Sequence, residues 1–193
     1  MARRIGAQAR EAREARQERH AAETDPAVVL NAAARFLELR ARSVEEVRRH
    51  LARAAFPAAL AEEAIARLLE LGMLDDRAFA AAWVESRDRA RPRGEGALRA
   101  ELRRKGIDRE TVAAVLTERS EAAAAESESG GANADGLAAE RLLGKNRGAL
   151  LRVADPRARR GRAYALLARN GFDPEVCREV SARWAAPETE LDD

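Results

Sequence analysis

The stretch from Ala97 to Leu116, ALRAELRRKGIDRETVAAVL, decides the fold. Leu102 lies five residues before Ile107, with Gly106 between them, which is the spacing of a Schellman motif. In that motif the glycine is left-handed, and the apolar residue after it packs back on the helix that it ends. Asp108 is then placed to cap a second helix. The stretch therefore predicts two helices joined by a rigid turn.

The same turn is present in residues 167–177, LARNGFDPEVC. Leu167 and Phe172 keep the five-residue spacing, and Gly171 takes the left-handed position. The next two residues are Asp and Pro, the preferred order for a helix cap and the first residue of a helix. This segment therefore predicts a second copy of the helix-turn-helix unit.

A third copy lies nearer the start of the chain, in residues 51–65, LARAAFPAALAEEAI. Leu51 and Phe56 have the same spacing, but Ala55 stands where the other two copies have glycine. A left-handed residue with a Cβ atom costs about 1 kcal/mol. Three copies of one unit in a single chain predict a repeat protein.

The composition favours helices throughout. Charged residues make up 35% of the 193 residues and aromatic residues 4%, so small bundles are expected rather than one large core. Ala, Leu, Glu and Arg dominate, all of them good helix formers, and no run of alternating β-branched residues occurs. We predict an all-α protein of three tandem three-helix repeats in an elongated arrangement.

Composition shifts and cap signals set the predicted boundaries. Long runs without apolar periodicity mark the arm, the linker and the tail. We predict a flexible charged N-terminal arm (1–24), a first repeat (25–72), a second repeat (73–118), an acidic Ala/Ser/Gly linker (119–136), a third repeat (137–186) and an acidic tail (187–193).

Charge is distributed unevenly, although the net charge is only +2. Residues 91–116 hold seven basic and four acidic residues, and residues 137–172 hold nine and two. Residues 173–193 hold two and seven. Basic segments bounded by acidic ones predict a polyanionic partner.

Single arginines on helix faces are usually solvated or complement the helix dipole. Dipole compensation needs one or two cations, whereas residues 137–172 carry nine, so this stretch favours a binding surface. Three of its arginines, Arg159, Arg162 and Arg169, are predicted to share one stripe of a helix. The full candidate set is Arg93, Arg99, Arg103, Arg104, Lys105, Lys145, Arg157, Arg159, Arg160, Arg162 and Arg169.

Nothing in the sequence predicts an enzyme, a metal site or a cofactor. Asp75 and Asp76 are explained by helix capping. His20 and His50 are isolated, one in the arm and one on a helix surface. The single cysteine, Cys177, excludes an internal disulfide and is expected to be a buried thiol. With no apolar stretch near the ~20 residues that span a bilayer, we expect a cytoplasmic protein without a membrane segment.

Several motifs together resemble the RecX family of recombination regulators. The similarity runs from about residue 33 to residue 184, and Met73 and Ala55 depart from the family pattern. The motifs are Leu74-Asp75-Asp76 followed by Phe79-Ala80, then Arg93-Gly94, then ELRRKGI at residues 101–107, and finally Asn170-Gly171-Phe172.

The resemblance implies a protein that binds the RecA recombinase filament on single-stranded DNA. It implies inhibition of RecA ATPase, strand-exchange and coprotease activities in DNA repair, recombination and the SOS response, with no catalytic residues and no cofactor. We expect a monomer. The turn itself leaves an alternative open, a helix-turn-helix regulator of transcription that reads double-stranded DNA. The helix at residues 108–116 carries Arg109 but otherwise Glu110, Thr111 and alanines, which makes a poor recognition helix.

Overall fold

The structure, a computed structural model, describes residues 2–125 and 133–184, with side chains from residue 8 onward. These residues contain helices and no strand, so the predicted all-α class is confirmed. The helices are α1 (Ala2–Ala21), α2 (Pro26–Glu38), α3 (Val44–Arg53), α4 (Ala58–Glu70), α5 (Asp76–Ala90), α6 (Glu95–Arg104), α7 (Arg109–Ala125), α8 (Ala134–Lys145), α9 (Arg147–Leu151), α10 (Pro156–Arg169) and α11 (Pro174–Arg183).

The chain divides into two compact units. The first unit consists of the residues up to 79 together with 105–107, and the second of 80–104 and the residues from 108 onward. In the first unit α2, α3 and α4 bury a core around Val29, Leu51 and Leu68, each of them fully buried. The apolar residues recur at helical spacing, so each helix turns one stripe inward.

The second unit buries a core between α8, α10 and α11. Leu143, Leu167 and Cys177 are fully buried there, and Phe172 and Val180 are nearly so. Burial raises the pKa of the Cys177 thiol, and the carboxylates of Asp173 and Asp135 raise it further. Cys177 is therefore a protonated core residue, as the sequence predicts.

The helix caps follow the sequence signals. Ser43 forms a complete capping box with Glu46 at the start of α3. Asp75 Oδ1 accepts the N–H of Ala78 at 2.9 Å and caps α5. The neighbouring Asp76 Oδ1 instead accepts the N–H of Val44 at 2.9 Å and supports the start of α3. Both carboxylates thus satisfy helix N-termini.

All three predicted turns have the expected backbone. The left-handed residues are Ala55 (φ 67°), Gly106 (φ 87°) and Gly171 (φ 79°). The first and third turns close with the Schellman hydrogen bond, from Phe56 N to Leu51 O at 3.2 Å and from Phe172 N to Leu167 O at 3.4 Å. The turn residues that we predicted to pack inward are buried: Leu51, Phe56, Leu102, Ile107, Leu167 and Phe172.

The ends of the predicted linker are helical. Helix α7 continues to Ala125 and α8 begins at Ala134, because tertiary contacts of Arg119 and Asp135, described below, hold both segments. Residues 126–132 and the predicted acidic tail lie outside the described residues. The charged arm forms α1, whose last turns contact the C-terminal end of α3 within the first unit. The division into repeats remains a prediction.

Candidate polyanion-binding surface

Two of the predicted binding residues are occupied by contacts that hold turns in place. Arg93 is half-buried, and its Nη1 donates to Asn170 Oδ1 at 2.5 Å. Its Nε lies 3.7 Å from Glu101 Oε1. In the first unit, Lys105 Nζ donates to Glu46 Oε1 at 3.0 Å, and its side chain is only 15% exposed. Arg93 and Lys105 are therefore structural.

Their carboxylate partners are held in the charged form. Burial by itself raises the pKa of Glu46, but hydrogen bonds from Arg40, Lys105 and the Ser43 backbone outweigh it and bring the pKa to about 2. Burial likewise raises the pKa of Glu101, and hydrogen bonds from Arg87 and Trp83 lower it more, so that the net change is downward. Both acids remain negative at neutral pH and keep their cations in place.

Two further candidates bind backbone carbonyls. Lys145 Nζ donates to the carbonyl oxygens of Arg89 at 2.7 Å and Ala90 at 2.8 Å, at the C-terminal end of α5. Arg159 Nε donates to Val153 O at 3.1 Å, so its guanidinium folds back on the segment before α10. The predicted stripe of three arginines therefore loses one member, because orphan carbonyls at a helix end or a turn attract a nearby cation.

The candidates around α6 have mixed environments. Arg99 is exposed but pairs with Glu95 one turn earlier on the same helix. Arg103 and Arg104 are both exposed at the C-terminal end of α6, where cations complement the helix dipole. This region offers some positive charge, but much of it is compensated locally.

Helix α10 is different. Four of its arginines are exposed, and no ion pair involves them among the described residues: Arg157, Arg160, Arg162 and Arg169. The helix contains no acidic residue. Its inner face is marked by Ala163 and Leu167, both buried. The sequence prediction for these four residues is therefore consistent with their exposure.

The four arginines lie on two flanks of α10 that are roughly half a turn apart. Residues in a helix are about 100° apart, so Arg157 and Arg160 share one flank and Arg162 and Arg169 the other. Small residues, Gly161 among them, lie between the flanks. Guanidinium groups with no protein partner can donate bidentate hydrogen bonds to phosphate or carboxylate oxygens. The two flanks together, defined by the four arginines, are called the α10 arginine face below.

Sequence reasoning missed two further exposed arginines in the same unit. Arg141 on α8 and Arg152 at the end of α9 are exposed, and no ion pair involves them in the described part of the chain. Both belong to the basic stretch 137–172, so they were already counted in the excess of positive charge that predicts a binding surface. Neither was singled out, because the choice followed spacing on a single helix.

Within residues 2–125 and 133–184, no cluster of three or more His, Cys, Asp or Glu side chains is arranged to hold a metal ion. In the same residues, no helix combines the length and the apolarity that a membrane crossing needs. The described residues form short helices joined by left-handed turns. One of these helices, α10, carries the α10 arginine face. These features define an all-helical protein built from helix-turn-helix units.

Comparison with known proteins narrows this class to one family. A family model described as the first three-helix domain of RecX matches residues 30–68, and one described as its second three-helix domain matches residues 75–116. A protein of Amycolatopsis mediterranei named Regulatory protein RecX is 35% identical over 162 residues, which are 82% of this chain and 86% of that protein. The chain belongs to the RecX family.

Some relatives with the same name match over less of their length. The alignment with the Mycolicibacterium smegmatis protein is 36% identical over 88 residues, and it spans about half of that relative (47%) and 46% of this chain. A crystal structure of RecX from Lactobacillus salivarius has a TM-score of 0.66 at 18% identity, covering 82% of this chain and 95% of that one. This structural likeness supports the fold.

Proposed function

We propose that this protein binds the RecA recombinase filament on single-stranded DNA and inhibits its ATPase, strand-exchange and coprotease activities. Membership of a family whose relatives are named regulatory proteins supports a regulatory role. The observation that carries the proposal is the α10 arginine face, because four unpaired cations on an acid-free helix suit a polyanionic nucleoprotein polymer.

The proposed mechanism needs no covalent chemistry. The arginines contact phosphate or carboxylate oxygens of the filament, and the protein alters filament growth by occupying that surface. Binding of this kind releases counterions, so the affinity falls steeply as salt is raised. We propose that the protein acts in the cytoplasm as a monomer, with α8, α10 and α11 forming the third three-helix module.

The first experiment is a titration of RecA ATPase activity on single-stranded DNA with the purified protein. We expect substoichiometric protein to suppress ATP hydrolysis, with weaker suppression at higher salt. Unchanged hydrolysis at equimolar protein would exclude the proposed inhibition.

A charge-reversal variant tests the surface itself. The triple substitution Arg160→Glu, Arg162→Glu and Arg169→Glu should raise the concentration needed for half-inhibition at least tenfold, since the charge changes by six units on one helix. The control carries Arg35→Glu, Arg67→Glu and Arg89→Glu, three exposed arginines elsewhere with the same net change. Equal loss of inhibition in both variants would show that only net charge matters and would remove the α10 arginine face from the site.

The alternative, a transcriptional regulator that reads duplex DNA, predicts protection of a defined sequence without RecA. The helix after the second turn, α7, offers little for base recognition, because its exposed first turn is Arg109 and Glu110, followed by exposed Ala113. A footprinting experiment on duplex DNA without RecA separates the two functions.

A further inference from the structure

The first unit contains a cleft that the proposed function does not use. It has a volume of about 330 Å³ and lies between α1, α2 and α3. Its walls include Arg13, Arg16 and Arg53, together with His20 and His50. No carboxylate is among its lining residues. Three arginines and two histidines thus line one small space.

The positive charge of this cleft is not neutralised by the protein. Arg13, Arg16 and Arg53 are exposed, and no ion pair involves them in the described residues. By contrast, Arg10, on the same helix but outside the cleft, pairs with Glu14 at 3.0 Å. Burial lowers the pKa of His50, and the positive charges of Arg42 and Arg53 lower it further. The local potential is therefore positive.

The floor of the cleft is built from ordered contacts. His20 Nδ1 lies 2.9 Å from Ala54 O, and the His20 ring stacks on Phe56 with ring centroids 4.1 Å apart. Gln17 Nε2 donates to Arg53 O at 3.1 Å. Carbonyl oxygens at the C-terminal end of a helix have no partner within the helix, so these two accept hydrogen bonds from side chains of α1 and hold it there.

The imidazole of His50 is also fixed by stacking on an aromatic ring. The His50 ring stacks on Phe36, with centroids 3.9 Å apart and planes 2° from parallel. Helix α1 is thus docked so that its Arg13 and Arg16 line the same cleft as Arg53, although like charges repel. A bound anion would relieve that repulsion and join α1 to α3. Arginines that line a cleft without carboxylates can donate several hydrogen bonds to one phosphate group.

We propose that this cleft is an anion site for phosphate groups, separate from the α10 arginine face. Its size suits a small phosphate cluster rather than a large organic ligand. The phosphate can come from a free polyphosphate or from the backbone or 5′ end of a single strand. The recognising chemistry is the same in each case: guanidinium N–H groups donate to phosphate oxygens.

The chain offers a direct probe, because its only two histidines both line the cleft. Two-dimensional NMR of the imidazoles in the full-length protein should show both rings shifting on addition of tripolyphosphate, with saturation and with weaker binding at high salt. Parallel titrations use sodium sulfate and a short oligonucleotide with and without a 5′ phosphate. The oligonucleotide titrations identify the source of the phosphate. Shifts with any phosphate probe that exceed the shifts with sulfate support the site.

A matched pair of variants locates the binding. Arg16→Gln with Arg53→Gln should weaken tripolyphosphate binding at least tenfold. Arg10→Gln with Arg19→Gln, on α1 outside the cleft, removes the same charge and should leave the affinity within twofold. An unchanged His20 signal in the free variants establishes that α1 still docks, since this ring contacts Ala54 O. No histidine shift with any phosphate probe, equal shifts with sulfate, or equal weakening in both variants would overturn the proposal, whatever the ATPase titration shows.

Discussion

The first and third turns have the same backbone but different neighbours. Ala55 and Gly171 are both left-handed, and each turn is closed by the same type of hydrogen bond. The third turn packs against the backbone at the start of α6: Gly94 N donates to Asn170 O at 3.1 Å, and a Cβ on Gly171 would lie 2.6 Å from Ala97 N. No side chain fits between them.

The first turn is contacted by side chains instead. Gln17 and His20 of α1 reach the carbonyl oxygens of Arg53 and Ala54, and Ala55 keeps its Cβ. The comparison shows that glycine at the third turn is required twice, by the positive φ and by the close approach of a second backbone. At the first turn only the φ requirement applies, and its cost of about 1 kcal/mol is tolerated.

The second turn resembles the third. A Cβ on Gly106 would fall within 3.0 Å of the Glu45 side chain, closer than real Cβ contacts. Ser43 Oγ donates to Lys105 O at 2.6 Å. Here the neighbour is the start of α3, which also has its own capping box. A glycine turn next to a helix N-terminus therefore occurs twice, at Gly106 and at Gly171.

The largest effect is expected from Gly94→Ala. A Cβ there would overlap the backbone of Gly171 and Phe172, which cannot move as a side chain can. We expect a loss of about 3 kcal/mol or more in the free energy of unfolding, measured by urea denaturation. The control is Gly144→Ala in α8, where nothing lies within 4 Å of the new Cβ and a gain of up to about 1 kcal/mol is expected. Equal stability of the two variants would contradict the close-packing argument.

Arg119→Met should have the next largest effect. Arg119 is 8% exposed, and it donates to both oxygens of Asp88 and to Asp135 Oδ1 at 2.7 Å. Asp135 in turn accepts the N–H of Glu95 at 2.9 Å, so α6 receives its cap from α8. Without the guanidinium group, the largely buried carboxylates of Asp88 and Asp135 lose their cation, which should lower the free energy of unfolding by about 3 kcal/mol.

The control for Arg119 is Arg89→Met. Arg89 pairs with Glu85, but both side chains are more than 70% exposed. Such pairs contribute little, and we expect a change below about 0.5 kcal/mol in the same denaturation experiment. A similar effect of both substitutions would show that burial of the Arg119 network does not matter.

Glu46→Gln tests the contacts of the second turn and should cost about 1.5 kcal/mol at pH 7, since hydrogen bonds to a charged group are lost. The pKa of Glu46 is about 2 in the folded chain against an ordinary value of 4.5. Its stabilising contribution is therefore complete above pH 4.5 and is lost as the pH falls toward about 2. Denaturation at several pH values should show a shallower decline in the variant, whereas Glu70→Gln, at an exposed pair, should leave the slope unchanged.

The smallest effect is expected from Ala55→Gly. Glycine relieves the left-handed strain but loses more conformational entropy on folding, so we expect a net gain of about 0.5 kcal/mol. Ala52→Gly, at an exposed position inside α3, should instead lose about 1 kcal/mol. A loss at position 55 as large as at position 52 would mean that the Ala55 methyl group has a packing role.

Local chemistry explains why much of the fold was predictable. Helix caps and left-handed turns depend on residues a few positions apart, so Ser43, Asp75 and Gly171 could be assigned from spacing alone. The unpaired arginines of α10 could also be predicted, because a helix without acidic residues cannot form ion pairs within itself. The folded-back guanidinium of Arg159 could not be predicted, since its acceptors lie in an irregular segment.

The sequence by itself determined the all-α class, the three turns and the basic stretch 137–172. Each of these depends on nearest-neighbour geometry and composition. Only the tertiary structure decided which cations are occupied: Lys105 by Glu46, Arg93 by Asn170 and Glu101. It also decided that His20 and His50 line one cleft with three arginines. The physical reason is that pairing depends on distances between side chains far apart in the chain, and those distances exist only after the helices have packed.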